Sequence, residues 1–476
     1  MEKKLNRFLD ADRCSDCSAT GFLTCDFPFF LIIAVVAAIG GLWWIFRILA
    51  VGAGARAKMT ASYVFLSRRS QDHIKEKNVS HPVHLPGFRT SIDTEKKTVT
   101  SAYLGLIRKT AQHVPAFGAV LGSKRSLERL ASHSKNVPLP SPSIELPNAV
   151  SFSGIEKKLN TAIDSAFEEP DRSRPRNTKA VIVARSGRIL AQRYADQIDP
   201  HTPVPGWSMT KSIMNALFGI LAAEDFLKPE DPAPVALWQK KSDPRRRITV
   251  ENLLRMNSGL QWDEKFSKPR SDTTVMLFDC GDAAGYAARK HLAHPVGKKW
   301  WYSSGTTNLL SSILRTVLAS DRAYHKFPRE KLFELLQMNS AVLETDQTGT
   351  FLGSSFMFAS CHDWVRFGTL YQQDGVYNNR RILPEGWVQF STSPTSGARL
   401  NSFGAHFWIN GDPNDPTGPR PFPSLPTDIL YAWGHEEQYL TIVPSYDATI
   451  LRIGATPRRE YWDHETFLGR ILEALK

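Results

Sequence analysis

Two residues able to do chemistry together stand three apart in PGWSMTKSIMNALFGILAAEDFLKPED, namely Ser208 and Lys211. Side chains three apart share one face of a helix. The hydroxyl and the amine therefore face the same way if Ser208 lies in or just before the first turn. Ile213, Met214, Leu217, Phe218, Ile220 and Leu221 make the following helix apolar all round, which is the pattern of a buried helix. Burial removes the lysine's solvation and lowers its pKa. A neutral amine takes the serine proton and makes the oxygen a nucleophile. The helix N-terminus also turns backbone N–H groups toward developing negative charge. The competing reading is a capping serine with a snorkelling lysine. Spacing alone does not decide, because Ser132 and Lys135 repeat it in a polar stretch with no apolar helix behind it.

Two further segments carry chemistry. In WWYSSGTTNLLSSIL, Tyr302 and Ser304 precede a helix whose apolar positions continue from Leu309. A tyrosine beside a buried lysine either ionises in part or relays a proton to a leaving group; otherwise it is a packing aromatic. In YAWGHEEQYLTIVPS, the run Gly434-His435-Glu436-Glu437-Gln438 leads into an apolar strand. It reads as the edge of a substrate-lining strand or as a polar turn.

The elements that must position these residues show at both ends of the main domain. FSGIEKKLNTAIDSAFEE reads as an amphipathic helix, and AVIVARSGRILAQRYA as a hairpin about Ser186-Gly187. Near the C-terminus, QYLTIVPSYDATILRIG reads as a hairpin about Pro444–Asp447, followed by the helix HETFLGRILEALK. Helix plus hairpin at one end, and hairpin plus helix at the other, predict one shared antiparallel sheet. The helical, loop-rich middle, 205–430, supplies the rest.

Upstream, 136–148 (NVPLPSPSIELPN) reads as a proline-rich linker, 57–135 as an N-terminal extension with a strand-like patch KTVTSAYLGLI, and 149–476 as the main domain. Phe27–Phe46 is apolar and uncharged, with Trp43, Trp44 and Arg47 at its end. That length spans a bilayer core. A polar tail, 1–26, and a single-pass transmembrane anchor, 27–50, are therefore expected. The alternatives are a core helix and a signal peptide cleaved near Ala53–Ala55. Arg47, Arg56 and Lys58 lean the downstream domain toward the cytosol. Since the run lies ahead of every candidate residue, removing 1–56 is expected to leave a folded, active domain.

The 476 residues carry a net charge of +12. No zinc-finger spacing, RNA-recognition signature or arginine-rich arm accompanies it, so nucleic acid is not an expected partner. Five cysteines are too few and scattered for a disulfide framework. Cys14-x-x-Cys17 lacks a second pair for zinc. Cys25 is either acylated beside the membrane or a plain thiol.

Serine with lysine three residues on, then Tyr302-Ser303-Ser304-Gly305, then Gly434-His435, in that order, resemble the serine hydrolases related to class C β-lactamases, DD-peptidases and 6-aminohexanoate-dimer hydrolases. Ile248–Glu264 and Gly353–Val388 resemble further segments of that family, so the likeness covers roughly 150–476. It implies an α/β (α+β) fold: a β-lactamase/transpeptidase-like antiparallel sheet flanked by helices plus a helical subdomain, here behind an N-terminal transmembrane helix. By resemblance Ser208 is the nucleophile, Lys211 its base and Tyr302 the tyrosine of a Tyr-x-Asn motif in which Ser304 replaces asparagine. His435 stands at the lysine of a Lys-Thr-Gly triplet, and the backbone N–H groups of Ser208 and Gln438 form the oxyanion hole. Glu436 and Glu437 replace Thr-Gly, which should repel the carboxylate of a β-lactam. The expected activity is hydrolysis of a small-molecule or peptide-like ester or amide through an acyl-enzyme, with no metal or organic cofactor. The alternatives are a penicillin-binding DD-peptidase or β-lactamase, and an inactive binding module.

Overall fold

The computed structural model describes residues 23–70, 74, 82–149 and 155–476. Cys14 and Cys17 lie outside these, as does the side chain of Cys25. The chain divides into two compact units after Leu49.

Helix α1 runs Leu23–Phe65, so it begins inside the expected polar tail and continues well past the expected anchor. In the first unit its residues 31–46 are exposed on every side. It is long and apolar enough to cross a membrane, by length and composition. In the second unit the same helix is interior: Val51, Ala53, Ala55 and Met59 have no exposed surface. The expectation that residues 1–56 are dispensable therefore includes residues that are buried in this unit. The small side chains Ala53, Gly54 and Ala55, which suggested a cleavage site, let neighbouring backbone come close. A Cβ on Gly54 would lie 1.9 Å from the carbonyl oxygen of Phe278.

The second unit is built on a six-stranded antiparallel sheet. Its strands are β5 (Thr178–Arg185), β6 (Arg188–Tyr194), β7 (Trp408–Ile409), β8 (Leu430–Gly434), β9 (Gln438–Val443) and β10 (Ala448–Gly454), in the order β7-β8-β9-β10-β5-β6. The two ends of the domain meet where β10 pairs with β5, Leu451 opposite Ile182, as their patterns predicted. Ser186 and Gly187 take left-handed φ values of 49° and 72°, which matches the twist a two-residue hairpin needs. Alternate strand residues face opposite sides. Val181, Val183 and Ile450 pack under helices α3 (Glu156–Asp164) and α7 (His464–Ala474). Ile182, Leu440 and Leu451 join the larger core, which holds α4 (Thr210–Ala223), α5 (Ser304–Val317) and α6 (Cys361–Gln372).

Residues 88–121 form a four-stranded meander, β1 to β4, followed by α2 (Lys124–Ser134). The stretch expected as a linker is packed into the same unit. Ser143 Oγ bonds Ser360 Oγ at 2.7 Å, and Leu146 N–H donates to His362 Nδ1 at 2.8 Å.

Candidate active site

Trp207–Met209 form a 3-10 turn that runs directly into α4. Ser208 sits in the turn and Lys211 in the first helical turn, which puts both on one face. Every residue from Thr210 to Leu221 is buried. Trp207 holds φ at 47°, a rare value for a bulky residue. The rings of Phe266, Phe356 and His435 surround its indole. Its N–H donates to Glu436 Oε2 at 3.2 Å. Across from the turn, a Cβ on Gly434 would lie 2.4 Å from the Gly206 carbonyl oxygen, so glycine lets β8 approach the serine.

Lys211, 2% exposed, has three polar neighbours. Its Nζ lies 2.9 Å from Ser208 Oγ, 3.1 Å from Ser304 Oγ and 2.8 Å from the Ser354 carbonyl oxygen. A carbonyl only accepts, and Ser304 gives its own proton to Glu264 Oε1 at 2.6 Å. Both therefore take an N–H from Lys211. A neutral amine has only two N–H bonds, so its lone pair is left facing Ser208 Oγ. Burial pulls the Lys211 pKa down to about 8, against the opposing pull of Glu264.

Glu264 was not singled out from the sequence, although the Ile248–Glu264 segment ends on it. Its carboxylate accepts from Ser304 N–H at 2.8 Å, the Trp262 indole at 2.6 Å and Thr273 Oγ1 at 2.7 Å, besides the Ser304 hydroxyl. Trp262 and Thr273 are near it in the chain, but Ser304, which links it to Lys211, is forty residues on, so no local pattern marks it. Tyr302 lines the cavity with Ser208, and Lys211 Nζ lies 5.0 Å from its ring centre. Burial, aided by Glu264, drives its pKa far above the usual phenol value. That argues against a partial phenolate, while a proton relay and a packing aromatic both fit, the ring lying against Trp300, Phe403 and Trp408.

His435, Glu436 and Glu437 form the turn between β8 and β9 instead of extending the strand, and Glu436 and Glu437 have φ values of 65° and 61°. All three line a cavity of about 410 Å³ with Ser208, Tyr302, Ser304, Trp408 and Trp433. Burial pushes His435 down to about 4. It is neutral and does not replace the cation of a Lys-Thr-Gly triplet. Burial pushes Glu436 up to about 7, opposed by the Trp207 hydrogen bond and by Arg69. Glu437, 5% exposed, is also raised by burial and accepts from Tyr439 OH at 2.7 Å. Gln438 opens β9, and its side-chain amide exchanges hydrogen bonds with Gly454 at 2.6 and 3.1 Å. Arg459, another residue the sequence did not flag, lines the cavity with its guanidinium 4.4 Å from the Trp433 ring centre. Ser132 lies exposed near the end of α2, remote in character from this buried cluster.

A family model described as Beta-lactamase matches residues 163–450. The 6-aminohexanoate-dimer hydrolase of Paenarthrobacter ureafaciens is 23% identical over 226 residues, 44% of this chain and 56% of that protein. The match thus spans little more than half of that relative's length. A Bacillus anthracis protein provisionally named a 6-aminohexanoate-dimer hydrolase has a similar fold, with a TM-score of 0.52, 18% identity and coverage of 74% of this chain and 94% of that one. EstCE1, described as a hydrolase with promiscuous acyltransferase activity, superposes with a TM-score of 0.51 at 14% identity over 67% of this chain and 98% of that one.

Proposed function

Because the chain belongs to the beta-lactamase family, we propose that it is a serine hydrolase that cleaves an ester or amide through an acyl-enzyme on Ser208. The observation that carries this reading is Lys211 Nζ at 2.9 Å from Ser208 Oγ inside a buried site that lowers the lysine's pKa. Neutral Lys211 removes the hydroxyl proton as Ser208 Oγ attacks the substrate carbonyl carbon. The oxyanion is met, on the family's pattern, by the backbone N–H groups of Ser208 and Gln438. Collapse breaks the bond to the leaving group, which takes its proton from Tyr302, and the Lys211 ammonium, having taken the Ser208 proton, returns it to the Tyr302 phenolate, so that both are neutral again before water attacks. Water then attacks the acyl-enzyme, gives its proton to the same base and releases the acid. Ser304 and Glu264 hold Lys211 in place and do not exchange protons with substrate.

The exposed half of α1 supports a single-pass membrane anchor, with the catalytic unit on the side favoured by Arg47, Arg56 and Lys58. A penicillin-binding reading gains one observation: Arg459 at the cavity offers a cation to a substrate carboxylate that Glu436 and Glu437 would otherwise repel. An inactive binding module is the third reading.

Turnover separates them. Ser208→Ala should lower ester or amide turnover by at least about a thousandfold, while Ser132→Ala leaves it unchanged. Equal losses at both positions would remove Ser208 from the mechanism. Covalent capture of a fluorescent penicillin in preference to short acyl esters would favour the peptidase reading.

A further inference from the structure

The proposed reaction uses Ser354 only as a carbonyl that accepts from Lys211. What holds that carbonyl leads back to α1. Leu352 N–H donates to the Glu344 carbonyl oxygen at 2.8 Å, and Glu344 N–H donates to that of Phe356 at 2.8 Å. Glu344 thereby brackets the loop 352–356 at both ends, with Ser354 at its middle. Asn308 of α5 pins that middle: Ser354 N–H donates to its Oδ1 at 3.2 Å, and its Nδ2 donates to Ser354 Oγ at 3.2 Å.

The Glu344 carboxylate is wholly buried. It is met by Lys58 Nζ of α1 at 2.6 Å, by Ala119 N–H at 2.6 Å and by Ser62 Oγ at 3.0 Å. Lys58 also donates to the Ala119 carbonyl. Its Nζ lies 4.5 Å from the centre of the Phe356 ring, whose neighbour Trp207 precedes the nucleophile. A buried ion pair is a poor device for stability alone, since apolar replacements are often as stable. Here its directional bonds fix a residue that brackets the loop at both ends.

We propose that Lys58 is a positioning residue of the hydrolase. Through Glu344 it holds the loop 352–356, so that the Ser354 carbonyl occupies one N–H of Lys211 and the lone pair is left for Ser208. The inner half of α1 is then part of the catalytic apparatus as well as the continuation of a tether. The inference rests on the Ser208–Lys211 reading.

The other charged or titratable groups facing Lys211 are Glu264 through Ser304, Tyr302 and His406. Burial pushes His406 down to about 3, so it stays neutral. None of these is touched by a change at Lys58.

The test uses the full chain in detergent, with the variants Lys58→Met, Lys58→Met/Glu344→Gln and Ser62→Ala. The double variant buries no lone charge, and Ser62→Ala removes one donor to Glu344 and no charge. In the Lys58 variants kcat is expected to fall about tenfold or more with KM within about twofold. The acidic limb of kcat/KM is expected to move to lower pH, because a lost acceptor disfavours the ammonium. Ser62→Ala should shift both readouts in the same direction by less. Wild-type kcat and an unchanged limb in the double variant and in Ser62→Ala, with only a lower Tm, would overturn the proposal. Covalent labelling of the wild type by a fluorophosphonate keeps the two claims apart. No labelling at Ser208 defeats the underlying reading, whereas equal labelling rates in wild type and double variant defeat only the role of Lys58.

Discussion

Among single residues, the protonation of Lys211 governs the proposed chemistry. With its pKa near 8, kcat/KM should rise with pH and level off above about 8, since the base works only when deprotonated. Lys211→Arg should be almost as damaging as Lys211→Ala, because guanidinium keeps the charge but does not give up its proton. A purely electrostatic lysine would be rescued by arginine. Glu264→Gln removes the charge that holds the Lys211 pKa up, so the acidic limb should shift below that of the wild type. A pH–rate profile of the variant checks the sign, and a limb moved upward would contradict it. Ser208, Lys211 and Tyr302, which the structure brings to one cavity or its wall, stood out in the sequence because the first two open one apolar helix and the third precedes another. Glu264 and Arg459 were not, because their partners are assembled from distant segments. His435 to Glu437 were legible as polar, but their left-handed turn was not.

At the scale of elements, the two hairpins were readable because alternating apolar residues and a turn dictate both register and face. Helix α1 was misjudged for an equally physical reason. The charge at Arg47 ends the hydrophobic run, whereas the helix continues through small and helix-favouring residues to Phe65. Gly54 records the difference. Gly54→Ala should destabilise the second unit by about 1–3 kcal/mol, as overpacking does, because its Cβ meets the Phe278 carbonyl at 1.9 Å. Gly40→Ala on the same helix meets nothing within 4 Å and should leave Tm unchanged or slightly raised. Thermal unfolding of the two variants in detergent decides, and equal Tm values would mean that α1 does not pack there.

For the whole molecule, burial of α1 from Leu49 onward places the boundary between anchor and enzyme near residue 48 as a prediction. Removing residues 1–48 spares the buried part of α1, so the truncated protein should fold and keep its turnover. Removing 1–56 strips Val51, Ala53 and Ala55 from the interior and should yield aggregated or inactive material. Solubility and activity of the two truncations test this directly, and full activity in the shorter protein would restore the original boundary. No sequence pattern could have shown it, because what fastens α1 is a contact between Lys58 and Glu344, far apart along the chain.

The central claim is that Ser208 is the nucleophile, and the most direct measurement is covalent labelling by a fluorophosphonate followed by peptide mapping. One adduct per chain is expected, on the peptide containing Ser208, forming faster as pH rises toward about 8 and lost in Ser208→Ala and Lys211→Ala. An adduct on another serine, or labelling that survives Ser208→Ala, would contradict it.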